Sequence, residues 1–474
     1  MSTRTDRPNL LLITTDQQRF DTIHRLGQGA IFTPNLDWLC DQGVAFTNAY
    51  ADCPVCVPSR ATIMTGRHGY RQGLTANAMR EVMPYAEHPT LPGLLRDSGY
   101  QTRAVGKMHF GPMRGHFGFE HMELPYDYVL ERQRFGGPAE QPMAHGMSQN
   151  DIAPGFSSVP ENLSLTHWIA QHSADFIETR DPTRPFFLWT SFTKPHPPFD
   201  CDPNYWALYD DIDLPEPVTD ADWHNGPDGL PRGFAQPMRM LNNADQYRPD
   251  LIRNVRRAYH ACITQVDYNL GLILGALREN QLLGNTWIVF TADHGEMMGD
   301  HHMAAKATYF EGAARVPMLV RPPAAPFSDA TPVMGTRSDA LACLADLMPT
   351  FLNRAGVASP DGIDGLDLMD QAAGDASRDT LRGRCGEQFM LRRGTRKALA
   401  AFHDDASRLV FDVADDPGER RDLLRAGDAG AESMMDELLA FARSEDPPAM
   451  EQSHGPGWRW PGHHDTRYPS DVLH

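Results

Sequence analysis

No stretch of the 474 residues approaches the ~20 consecutive apolar positions that a membrane-spanning helix needs, and internal repeats are absent. Basic residues are in deficit. Lys and Arg number 43 against 62 Asp and Glu, a formal charge of −19, so no global positive field gathers nucleic acid or anionic membranes. An anionic substrate must be attracted by local cations. Cysteines number only seven, at positions 40, 53, 56, 201, 262, 343 and 385. Their odd number and uneven spacing fit reduced thiols better than a disulfide framework. Cys53 and Cys56 do form a C-x-x-C pair, but no second pair with zinc-ligand spacing follows, which weighs against a zinc or redox site. Only about six apolar residues around Leu10 to Ile13 precede Asp16, too few for the core of a secretion signal, and no cleavage site follows them. A cytoplasmic protein is expected. The length suits one large α/β domain or two domains, because single cores stop growing near ~250–300 residues.

What the chain does have is a series of short buried runs that end in polar chemistry. Asn9 to Thr15 is continuously apolar or β-branched, the pattern of a strand buried on both faces of a parallel sheet, and it runs into Asp16-Gln17. Ligands of open α/β sheets bind beyond the carboxyl ends of strands, so both side chains are placed for a metal; a helix-capping aspartate is the plainer reading of Asp16 alone. Thr33 to Gly43 opens with a cap and proline and stops at glycine, predicting a helix. Val44 to Tyr50 is the next strand. Thr90 to Gly99 repeats the helix pattern, and Gln101 to Val105 is a strand leading to Gly106-Lys107-Met108-His109, where residues two apart share a face in extended chain.

Leu165 to Arg180 predicts a helix, and Pro185 to Phe192 a strand that ends in Lys194-Pro195-His196. Residues 200 to 248 lack periodicity and are expected to form a long insertion over the site, where specificity would reside. Asp250 to Gln281 is the clearest helix, with apolar positions three or four apart. Trp287 to Ala292 is a buried strand that delivers Asp293-His294-Gly295-Glu296, followed by Lys306 and Ala314 to Val320. A doubly wound sheet would gather all these polar ends along one edge.

The remaining member of the set is Cys56-Val57-Pro58-Ser59-Arg60, followed by Thr65-Gly66. It reads as a loop opening into a helix, with Pro58 in the first turn where its missing N–H costs nothing. The cysteine then sits at free backbone N–H groups and the positive end of a helix dipole, with Arg60 adding a fixed cation. A lone cysteine in a loop is more often an ordinary buried or reactive thiol; the companions above outweigh that reading.

This order of motifs resembles the type I sulfatases, the formylglycine-dependent branch of the alkaline-phosphatase-like superfamily, over residues 8 to 425. The resemblance implies an α/β fold: a doubly wound, mostly parallel sheet sandwiched by helices, with a smaller C-terminal α+β subdomain containing a short antiparallel sheet. The catalytic domain is expected to span 1–370 and the C-terminal subdomain, with its tail, 371–474, the boundary falling in the glycine-rich stretch 355–375. A tail arm at 455–464 could pack on the main domain or a neighbouring subunit, so a homo-oligomer stays open.

The family further implies that Cys56 is oxidised to formylglycine by a maturation enzyme, and that one divalent cation is held by Asp16, Gln17, Cys56, Asp293 and His294. Oxygen-rich ligation favours Ca²⁺, with Mn²⁺ left open by the histidine. In the family's mechanism a formylglycine hydroxyl attacks the sulfur of a small organic sulfate ester, with Asp293 as base. Arg60, Lys107 and Lys306 neutralise the sulfate oxygens, His196 or Lys306 protonates the departing alcohol, and His109 deprotonates the second hydroxyl. Gln17 stands where a second aspartate is usual and His294 where asparagine is frequent, both as in choline sulfatases and phosphonate monoester hydrolases; an aspartate at 17 is expected to retain the metal. Val57 replaces a small residue. Phosphonate monoester or phosphodiester hydrolysis, and a non-catalytic metal-binding relative with unmodified Cys56, are the alternatives. The alcohol carried by the ester (aryl, choline, sugar or N-sulfate) is not written in these motifs.

Overall fold

A computed structural model describes residues 7–27, 30–77, 87–137, 150–235, 251–323 and 334–445. The tail at 455–464 and the last part of the expected insertion lie outside them. The strands are β1 (Asn9–Asp16), β2 (Val44–Tyr50), β3 (Gln101–Gly106), β4 (His121–Glu123), β5 (Pro154–Phe156), β6 (Phe186–Pro195), β7 (Phe199–Cys201), β8 (Thr286–Ala292), β9 (Met318–Arg321), β10 (Thr336–Cys343), β11 (Thr380–Cys385), β12 (Gln388–Arg393), β13 (Arg396–Ala401) and β14 (Asp404–Asp412). The helices are α1 (Pro34–Asp41), α2 (Cys56–Thr65), α3 (Leu91–Asp97), α4 (Pro125–Arg134), α5 (Leu165–Thr179), α6 (Pro203–Ala207), α7 (Ile252–Glu279), α8 (Glu311–Ala314), α9 (Leu347–Arg354), α10 (Leu368–Ala373) and α11 (Ala429–Glu445).

Eight strands form one sheet in the order β10-β2-β9-β8-β1-β6-β3-β4. Every pairing is parallel except those of β9, which runs antiparallel to both β2 and β8. The Val-Pro segment that follows Lys306 therefore enters the sheet against its neighbours. Alternation along β1 divides the core in two: Leu10 and Leu12 face α2, α3, α9 and α10, while Leu11 and Ile13 face α1, α5 and α7. This is the expected doubly wound sandwich. Its central strands β8, β1, β6 and β3 are neighbours, so the loops after them emerge side by side.

A second sheet, antiparallel in the order β11-β12-β13-β14, buries one face against α11 through Phe389, Leu391, Val410 and Leu438. Its other face shares a core with Tyr50, Cys53, Tyr309 and Phe310 of the large sheet's loops. Lys397 of β13 is fully buried at this seam, with its Nζ 2.6 Å from both Glu311 and Glu419. The described part of the insertion closes on the same sheet: Trp223 donates to Glu419 O at 2.8 Å and Gly233 N to Asp404 at 2.9 Å.

One local expectation is corrected. Thr33 precedes α1, but its side chain makes no cap bond; its hydroxyl accepts from His24 N at 2.9 Å instead. The orphan amides of α1 are satisfied from a distance by Asp267 of α7, which accepts from Leu36 N at 2.8 Å and Asn35 N at 3.1 Å. Asp267→Ala is therefore expected to cost about 1–2 kcal/mol, the worth of a lost N-cap, and Thr33→Ala less. Thermal melts of the two variants against wild type check this order.

Candidate active site

Cys56 is the first residue of α2, a helix whose ten residues are all buried. β2 delivers the chain to it, Val55 at the N-cap is extended, and Ser59 Oγ donates to Cys53 O at 2.8 Å to set the turn. Pro58 lies in the first turn, as its missing N–H requires. Gly66 closes the helix with φ 64°, a left-handed conformation that glycine adopts without strain. Val57 is buried in the core, and its N–H is satisfied by Asn77 Oδ1 at 3.0 Å. Cys53 does not act with Cys56; it hydrogen-bonds Cys385 of β11.

Around Cys56 the ends of the central strands converge. His294 Nε2 lies 3.2 Å from its sulfur, Lys306 Nζ 3.6 Å, Asp16 Oδ1 3.7 Å and Lys107 Nζ 4.0 Å. His109 and His196 also hydrogen-bond it. The structure thus brings Asp16, Lys107, His109, His196, His294 and Lys306 together around Cys56. Lys107 and His109 arrive there differently from expectation: β3 ends at Gly106, where φ is 98°, and φ is again positive at His109, 58°, so a turn and not strand alternation carries the two residues.

Arg60 is 1% exposed and its guanidinium is committed on all sides. It lies 2.9 Å from Asp293 Oδ2 and 3.2 Å from Asp16 Oδ2, and donates to Ser191 Oγ at 2.8 Å and to Lys107 O. Ser191, in the middle of β6, had no signal in the sequence beyond its place in a strand, and Asn77 had none.

The electrostatics follow from complete burial among these charges. Burial pushes the Cys56 thiol up, but Lys107, Lys306 and His294, with the His109 hydrogen bond, hold it well below the usual thiol range. Burial and Cys56 raise Asp16, yet Lys107, His196 and Lys306 outweigh them and keep it an anion. Asp293 is raised, by burial first and then by Asp16. Burial, against a smaller opposing pull from Cys56, brings the His109 pKa down to about 4; burial with Lys306 and Lys107 does the same at His196. Both rings are therefore neutral at pH 7.

Asp16, Cys56, Asp293 and His294 each present one ligand atom, all within 4.8 Å of one another, and among the described residues this is the one such group. Two fully buried carboxylates with an imidazole are a donor set that fits a divalent cation. Gln17 adjoins them: its N–H donates to Asp293 Oδ1 at 3.1 Å, Lys306 donates to its Oε1, and its Nε2 donates to Glu296.

The chain is 33% identical over 453 residues to an arylsulfatase of Clostridium perfringens, covering 89% of this chain and 91% of that protein. Among solved structures it resembles a protein in complex with its substrate D-glucosamine-2-N,6-O-disulfate (TM-score 0.71, 22% identity, 93% of this chain and 98% of that one). It also resembles the phosphonate monoester hydrolase of Agrobacterium radiobacter (TM-score 0.72, 24% identity, 93% and 96%). The family model for sulfatases matches residues 8–357, and the chain belongs to the sulfatase family.

Proposed function

We propose that the protein hydrolyses a small organic sulfate monoester through formylglycine made from Cys56 by a maturation enzyme, with one divalent cation, Ca²⁺ in the first place, held by Asp16, Gln17, Asp293, His294 and the modified residue 56. The observation that carries this reading is the ring of cationic and neutral donors around Cys56, with Lys107 and His109 both present. When bound, the cation adds positive charge against the oxygens of the transferred group. Formylglycine supplies a hydrated aldehyde, one of whose hydroxyls attacks sulfur while the other, on deprotonation, expels sulfate.

The chain's own residues divide the remaining work. Lys107 and Lys306 face residue 56 and are placed to balance the sulfate oxygens, whereas Arg60 stands behind them and acts by fixing the two aspartates. Asp293, fully buried beside Asp16 and held by Arg60, is suited to take the proton of the attacking hydroxyl. Lys306 is the cation nearest Cys56 and suits protonation of the leaving alcohol, with neutral His196 as a hydrogen-bond donor beside it. His109, neutral and bonded to residue 56, suits removal of the second proton. Each acid–base role is worth roughly 10²–10⁴ in rate.

A sulfate monoester has three non-bridging oxygens that need partners; a phosphonate monoester has a carbon substituent in place of one. The pair Lys107 and His109 thus favours sulfate. An aryl sulfate should give a higher kcat/KM than the matching aryl phosphonate monoester in one preparation, and Lys107→Ala should lose roughly 10²–10³ in sulfatase activity. A preference for the phosphonate reverses the assignment.

Protein co-expressed with a maturation enzyme should carry formylglycine at 56 by peptide mass spectrometry, and Cys56→Ala should be inactive. Asp16→Ala and Asp293→Ala should lose the bound cation by elemental analysis. Unchanged metal content in both would move the metal elsewhere.

A further inference from the structure

Glu296 lies two residues beyond His294, is fully buried, and has no role in the reaction as set out above. One of its oxygens, Oε2, accepts from Gln17 Nε2. The other, Oε1, accepts from Met298 N at 3.1 Å and from Ala305 N, the amide preceding Lys306. Lys306 in turn donates to Gln17 Oε1 and lies 3.6 Å from Cys56 Sγ. The Gln17 amide is thereby locked. Turning it over would set its NH₂ against an ammonium and its carbonyl against a carboxylate.

Both partners also sit on backbone that needs outside support. Gln17 has φ 70°, and Ala305 and Ala307, which flank Lys306, have φ 68°. Non-glycine residues adopt this left-handed region only where the surroundings hold them there. Tyr259 contributes by donating to Gln17 O at 2.7 Å. Glu296 bonds the Gln17 side chain and the Ala305 amide at once.

We infer that Glu296 is a positioning residue: it turns the oxygen of the Gln17 amide toward Lys306 and Cys56 for use by the metal, and fixes the segment that carries Lys306. This rests on the proposed metal ligation. It follows that residues 17 and 296 work as an amide–carboxylate pair and that only complementary exchanges are tolerated. In Glu296→Gln the new side chain keeps the Met298 and Ala305 amides on its oxygen and so presents NH₂ to the NH₂ of Gln17. Adding Gln17→Glu restores donor to acceptor with the bond reversed and the heavy atoms unchanged in number.

The test is calorimetric titration of metal-stripped protein with CaCl₂ and, separately, MnCl₂, with melts in chelator to verify folding. Glu296→Gln should weaken binding roughly 10–100-fold, as loss of an outer-shell partner does, and Gln17→Glu/Glu296→Gln should return to within about threefold of wild type. A folded Glu296→Gln that binds as wild type does, or a double variant that stays weak, overturns the inference. If Glu296→Gln does not fold, the double variant decides alone. Wild type that binds neither ion would instead remove the metal reading itself.

Discussion

Two carboxylates that cannot reach water, held against one guanidinium, are the constraint on which the rest of the site depends. Asp16 and Asp293 end adjacent parallel strands, and Arg60 reaches both from the first turns of the cysteine helix. Removing one partner of such a buried set typically costs about 3–5 kcal/mol, because the other charge is left uncompensated. The sheet register, the start of α2 and the position of Cys56 are therefore fixed together. Lys107 joins the same network through Asp16, 2.7 Å away, which adds a third strand end.

Much of this was legible in the sequence because the central strands are buried on both faces. Continuous apolar runs such as Leu10 to Ile13 and Trp287 to Phe290 can hardly be anything else, and the polar residues that follow them mark the sheet's carboxyl edge. The unread parts depend on contacts remote in the chain or on single dihedrals. The cap of α1 comes from Asp267, 231 residues away from the amide it serves. The turn after β3 combines Gly106 at φ 98° with a left-handed His109 that its residue type does not announce, and Glu296 follows His294 with no sign in the sequence of which group it would meet.

The small sheet is more than an appendage to this arrangement. Tyr309 donates to Asp52 O at 2.7 Å, and Gly383 of β11 approaches so closely that a Cβ there would come within 2.5 Å of the same oxygen. Lys397 ties β13 to Glu311 and Glu419 behind it. The loop that presents Cys56 is thus gripped from the large sheet on one side and from residues more than three hundred positions later on the other.

The enclosure of α2 also sets an order of events in time. Cys56 is 1% exposed and its helix is wholly interior, so the enzymatic modification proposed for the thiol would have to precede the burial of this segment. His294, which closes over the sulfur, is made 238 residues later. At ribosomal speeds of ~5–20 residues per second that interval is roughly ten to fifty seconds. Under the proposed modification of Cys56, a cell that supplies too little of the modifying catalyst during synthesis would accumulate molecules with an intact fold and an ordinary thiol at their centre.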